Sequence, residues 1–105
     1  GAKVNQANKK GSTALITAAD EGHLEVVTAL IEAGASVDQA DDDGQTALIG
    51  SSGSGHLDVV TSLVQAGASL DQGDSDASTA LIMAAEGGHL EVVTTLVKAG
   101  ASVNH

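Results

Sequence analysis

Shifted by 33 residues, the chain matches itself without a gap: Thr13, Thr46 and Thr79 superpose, as do His23, His56 and His89, and Gly34, Gly67 and Gly100. Fifteen of the 33 positions hold the same residue in all three copies, too many for chance, so the fold has to be one small supersecondary unit used repeatedly. The units run 1–33, 34–66 and 67–99, and residues 100–105 open a fourth in the same phase, giving a single array over 1–105. No unit carries the polar face of a dedicated cap. Uncapped apolar ends are expected to favour end-to-end self-association, and the in-phase boundaries read as a fragment of a longer array.

Each unit reads as two short helices and a loop. Thr13 is a good N-cap, and Ala14-Leu15-Ile16-Thr17-Ala18-Ala19 favours a helix that Gly22 stops. Leu24 to Ala33 makes a second helix, with Val26, Val27, Leu30 and Ile31 on one apolar face. Gly34 stands where a left-handed residue closes a helix. Asn8-Lys9-Lys10-Gly11 and Asp41-Asp42-Asp43-Gly44 supply turn chemistry between units. A pair of such short helices is not stable alone; stacked copies bury one another's apolar faces.

Composition removes several function classes. The chain holds fourteen acidic and four basic residues, a formal charge of −10, which argues against nucleic-acid binding. Without cysteine there is no disulfide, thiolate metal site or cysteine nucleophile. No apolar run is long enough for a membrane span and no signal peptide opens the chain, so an intracellular, cytoplasmic location is expected. With no aromatics, the core must be Ala, Val, Leu and Ile, which pack well only when backbones come close.

The runs Gly44-Gln45-Thr46-Ala47-Leu48-Ile49, Gly55-His56-Leu57-Asp58-Val59-Val60 and Ala66-Gly67-Ala68-Ser69 resemble the ankyrin repeat, whose unit has the same length. The resemblance covers the whole chain. It implies an all-α, right-handed solenoid of stacked antiparallel helix pairs, joined by turn or β-hairpin fingers that project to one side. It also implies a binding scaffold that contacts a protein partner through finger tips and the concave face of the first helices.

The chain departs from the family pattern in four places. The usual proline at the first helical position is Ala14, Ala47 and Ala80, and the usual histidine two residues later is Ile16, Ile49 and Ile82. Ala77 replaces the finger glycine of unit three, at a cost of roughly 1 kcal/mol if the site requires a positive φ. Unit two has Ser51-Ser52 for the usual Ala-Ala, flanked by Gly50 and Gly53, each of which costs roughly 1 kcal/mol inside a helix. The first helix of unit two is therefore expected to be the softest part of the array.

Residues that invite a chemical reading mostly lose it on inspection. Equivalent histidines on stacked units sit roughly 8–10 Å apart, too far to share a metal ion, so His23, His56 and His89 read as turn histidines bonded to backbone. Asp41-Asp42-Asp43-Gly44 fails as a calcium loop, because Gln39 and Gly50 stand where acidic ligands are needed. Gly50-Ser51-Ser52-Gly53-Ser54-Gly55 lacks the lysine of a phosphate loop and the strand–helix context of a nucleophile elbow. No catalytic residue, cofactor or metal is predicted, and the chain does not read as an enzyme. Thr28, Thr61 and Thr94 read as a solvent-facing column, and Asn5 and Asn104 as finger residues bonded to neighbouring loops.

Positions that differ between units fall on fingers and first helices. They are expected to form a partner-binding surface of Asp41, Asp42, Asp43, Gln45, Gly50, Gly53, Ser54, Asp74, Ser75, Asp76, Ser78, Met83 and Glu86. Its acidic fingers predict a protein partner with a basic patch or peptide, with no nucleic-acid or membrane partner. The other readings are a structural spacer or spring within a longer array, an engineered array without a natural partner, and an acidic cation-binding array.

Overall fold

The computed structural model of the chain describes residues 3–101. Asn104 and most of the partial fourth unit lie outside the described residues. Six helices follow in order: α1 (Ala14–Glu21), α2 (Leu24–Glu32), α3 (Ala47–Ser54), α4 (Leu57–Gln65), α5 (Ala80–Glu86) and α6 (Leu90–Ala99). They form three stacked hairpin pairs in a body measuring 41 × 26 × 20 Å.

Local chemistry sets the helix ends. Thr13, Thr46 and Thr79 cap α1, α3 and α5; each hydroxyl accepts the N–H three residues on, at 3.2–3.3 Å, and each threonine is buried. Gly22 and Gly55 close α1 and α3 with φ of +79°, and α2 and α4 hand over to Gly34 and Gly67 at +94° and +89°. Unit three differs slightly. There α5 closes at Gly87 with φ −81°, and the positive angle passes to Gly88 at +72°.

The core is a continuous stack of Leu15, Leu48, Leu63, Leu96, Val27, Val59, Val60 and Val92, with Ala18, Ala19, Ala47, Ala80 and Ala84 between them. The expected apolar face of the second helices is present in all units, but Val26 is 48% exposed while its equivalents Val59 and Val92 are 0% and 2%. Val26 lies on the outer side of the first described pair, where no helix of the described residues covers it. First helices pack on one another far more extensively than second helices do. Small residues on α1, α3 and α5 allow that approach, so the array curves with its first helices on the inside.

The fingers are turns; no described residue lies in a strand. Each closes with two backbone bonds, such as Asp41 N–H to Gln45 O at 2.9 Å and Gly44 N–H to Asp41 O at 3.0 Å. The second and third fingers each pass one bond to the finger before: Asp42 N–H to Lys10 O at 2.9 Å, and Ser75 N–H to Asp43 O at 3.0 Å. Helix α3 is a regular eight-residue helix despite its glycines. Ser51 satisfies its hydroxyl on Ala47 O at 2.8 Å, while Ser52 Oγ is buried without a partner.

Candidate partner-binding surface

Asp41, Asp42 and Asp43 are consecutive, yet the turn gives them different tasks. Asp41 Oδ1 accepts from Asp43 N–H and Gln45 N–H, both at 2.9 Å, which holds the second finger in shape. Asp74 does the same in the third finger, accepting from Asp76 N–H and Ser78 N–H at 2.9 and 3.0 Å. Asn8 fills the place in the first finger. Asp74 also takes Gln45 Nε2–H on its other oxygen at 3.0 Å, tying fingers two and three together. Asp41, Asp74 and Gln45 are thus framework as well as surface. The side chains left on the outside are Asp42, Asp43, Ser75 and Asp76, all exposed; Ser78 is half-buried behind them.

The groove below the fingers is built by complementary volumes. A Cβ on Gly50 would sit 3.2 Å from Asp20 Oδ1, so the Asp20 carboxylate overhangs a position with no side chain. One junction along, the sizes reverse: a Cβ on Gly53 would meet Met83 Cε at 3.3 Å, and Met83 packs against the core at that gap. Gly50, Gly53 and Met83 therefore face the array as well as the groove, while Ser54 and Glu86 are exposed at its edge. Between the first two fingers, α1 and α3 lies a cavity of 320 Å³ whose lining includes Lys10, Thr17, Asp20, Asp43, Gln45 and Gly50. Thr17 and Asp20 were readable as variable positions, but their share in this cavity depends on how unit one meets unit two. Lys10 is the basic member of an otherwise acidic rim.

The histidines bind backbone across units. His56 Nε2–H donates to Asp20 O at 3.1 Å and His89 Nε2–H to Gly53 O at 3.0 Å. His23, in the first described unit, meets Glu21 Oε1 at 3.1 Å, on the surface. Asn5 bonds a neighbouring loop as expected, its Oδ1 accepting Ser36 N–H at 2.7 Å, and Asp38 repeats the bond with Ser69 N–H at 2.7 Å. The threonine column is only partly solvent-facing. Thr94 is exposed, whereas Thr28 and Thr61 are half-buried, and Thr61 and Thr94 bond their own helix at Leu57 O and Leu90 O.

Among the described residues, no three His, Cys, Asp or Glu side chains gather closely enough to hold a metal ion. No described helix is long and apolar enough to cross a membrane. No curated protein matches the chain. A family profile described as ankyrin repeats, in three copies, matches residues 1–74 and 34–105 and so spans the whole sequence. With that match and the stacked, glycine-closed helix pairs, the chain belongs to the ankyrin-repeat family.

Proposed function

We propose that the chain binds a basic segment of a protein partner across its second and third fingers and the adjoining groove of first helices. Ankyrin repeats generally serve protein–protein interaction, which supports the broad role. The observation that supports the finer reading is the division of labour among the finger acids. Asp41 and Asp74 hold the turns, which leaves Asp42, Asp43 and Asp76 exposed on two adjacent tips with no cation paired to them among the described residues. No aromatic anchor exists on this side, so the partner supplies the large side chains, with Arg best suited to carboxylates.

The test is capture of peptides from a random library on the immobilised chain, beside a variant carrying Asp42→Lys, Asp43→Lys and Asp76→Lys. Enrichment of Arg- and Lys-rich peptides on the first bait, lost from the second and weakened by salt, is the expected result. Equal capture by both baits would overturn the acidic-finger reading.

A further inference from the structure

The 320 Å³ cavity at the joint between units one and two is lined entirely by described residues, with a structural neighbour on either side. Its shape traces to Gly50, which lines it from α3 without a side chain. The next joint along shows what such a place accommodates. There the equivalent position on α5 is Met83, whose side chain lies over Gly53: an added Cβ on Gly53 would meet Met83 Cβ and Cε at 3.4 and 3.3 Å. A long, unbranched side chain thus occupies one joint groove from within the chain, while α3 contributes none to the other.

The two joints also differ in charge. Where the second is lined by a thioether, Asp20, Glu21, Asp41 and Asp43 line the first, against the single ammonium of Lys10. Two of the four carboxylates have other work. Asp41 Oδ1 takes two N–H groups of its own finger, and Glu21 meets His23. The carboxylates of Asp20 and Asp43 have no hydrogen-bond partner among the described residues. Asp20 lies in the last turn of α1 and Asp43 at the tip of the second finger, so they line the cavity from two different elements. An ammonium is a point charge, whereas a guanidinium presents donors along more than one edge and suits two separate carboxylates. Lys10 is exposed, and its flexible stem lets its own charge move out into solvent.

We propose that this cavity takes one arginine side chain of the bound segment. Its stem lies over Gly50, in the place that Met83 fills at the next joint, and its guanidinium sits between Asp20 and Asp43. The inference rests on the reading of the chain as a binder of a basic segment. It adds a defined residue of that segment, at a joint outside the second and third fingers.

NMR titration of the isotope-labelled chain tests the site with three small probes: the amides of N-acetyl-arginine, N-acetyl-lysine and N-acetyl-citrulline, the last an uncharged near-isostere of arginine. The arginine probe is expected to shift the Thr17, Gln45 and Gly50 amide signals saturably, with a millimolar dissociation constant about threefold or more below that of the lysine probe. The citrulline probe gives no saturable shift. Asp20→Asn weakens arginine binding by about threefold or more, and Asp76→Asn, the same charge change on the third finger, leaves it unaltered. Gly50→Met fills the groove and abolishes binding; circular dichroism checks its fold, and the two Asn variants decide the matter if it does not fold. No saturable shift with arginine, equal binding of citrulline or lysine, arginine binding that survives Gly50→Met, or equal weakening by Asp20→Asn and Asp76→Asn would each overturn the proposal. The two readings fail separately. Arginine binding at this joint beside equal peptide capture by the two baits above removes the acidic-finger reading alone. Basic peptides lost from the charge-reversed bait, yet bound by Gly50→Met with unchanged affinity, remove the arginine site alone.

Discussion

The imidazole of His56 lies on Gly22, 34 residues earlier in the sequence: a Cβ added to Gly22 would come within 2.7 Å of the ring. Gly22 also has φ +79°, so two independent constraints meet at one residue. The Gly-His pair repeated in every unit is therefore a contact between units, with the glycine of one unit serving the histidine of the next. His89 sits on Gly55 in the same way.

Removing either side of this contact should be costly. Gly55→Ala is expected to destabilise the chain by about 2 kcal/mol or more, from the left-handed backbone and the displaced ring together. His89→Ala should cost about 1 kcal/mol through the bond to Gly53 O, whereas His23→Ala, at the surface, should change stability by less than about 0.5 kcal/mol. Urea unfolding of the three variants checks the order.

Helix α3 contains a repairable defect. Ser52 Oγ is fully buried without a partner, and its equivalent in unit one is Ala19. Ser52→Ala is expected to stabilise by about 1 kcal/mol, from relief of the unpaired hydroxyl and better helix propensity. Ser51→Ala should gain less, because the Ser51 hydroxyl is already bonded to Ala47 O. A thermal melt in which both variants shift equally would contradict this assignment.

Gly50→Ala tests whether the groove trades stability for room. The new methyl meets only the end of the Asp20 side chain at 3.2 Å, which can swing aside, so a gain of roughly 0.5–1 kcal/mol is expected. Gly53→Ala should gain less, since Met83 has to shift from 3.3 Å. Denaturant midpoints decide between them. If Gly50→Ala also weakens peptide capture, the missing side chain serves binding.

Ala77 is the one non-glycine residue at positive φ among those described, at +62°, where Gly11 and Gly44 stand in the other fingers. Ala77→Gly should stabilise by roughly 0.5–1 kcal/mol after the added chain entropy of glycine is subtracted, and Ala77→Val should destabilise by more. Differential scanning calorimetry on the pair gives both signs in one experiment.

Fingers can be separated into framework and surface by stability alone. Asp74→Ala removes the acceptor for Asp76 N–H, Ser78 N–H and Gln45 Nε2–H, and should cost about 1–2 kcal/mol. Asp76→Ala removes an exposed side chain and should cost less than about 0.5 kcal/mol. Equal losses in chemical denaturation would mean that the exposed acids are structural too.

What sequence reading could see was whatever is settled inside one unit. The threonine caps, the glycine helix ends and the strain at Ala77 depend on a few neighbouring residues, and all were legible. The ladder itself was legible because identical residues recur in phase. The seat of His56 on Gly22 was not, because it needs the register between units, and the GH pair read as a single local turn. The three acids of the second finger looked alike for the same reason: only the folded turn shows that Asp41 faces inward to its backbone while Asp42 and Asp43 face out. Val26 was assigned to a buried face, which is correct for its equivalents. Its own exposure depends on which neighbours are present, and periodicity carries no such information.

The opposition of Asp20 to Gly50, and of Gly53 to Met83, has a consequence for how such an array can be rearranged. The units share one framework but are not interchangeable. Duplicating unit two would set Gly53 against a second Gly50 and leave a hole at the joint; deleting it would set Met83 against Asp20 and crowd a carboxylate with a thioether. The order of the units is therefore written into pairs of side-chain volumes at the joints, so a shuffled array would keep every helix and still change the spacing between them.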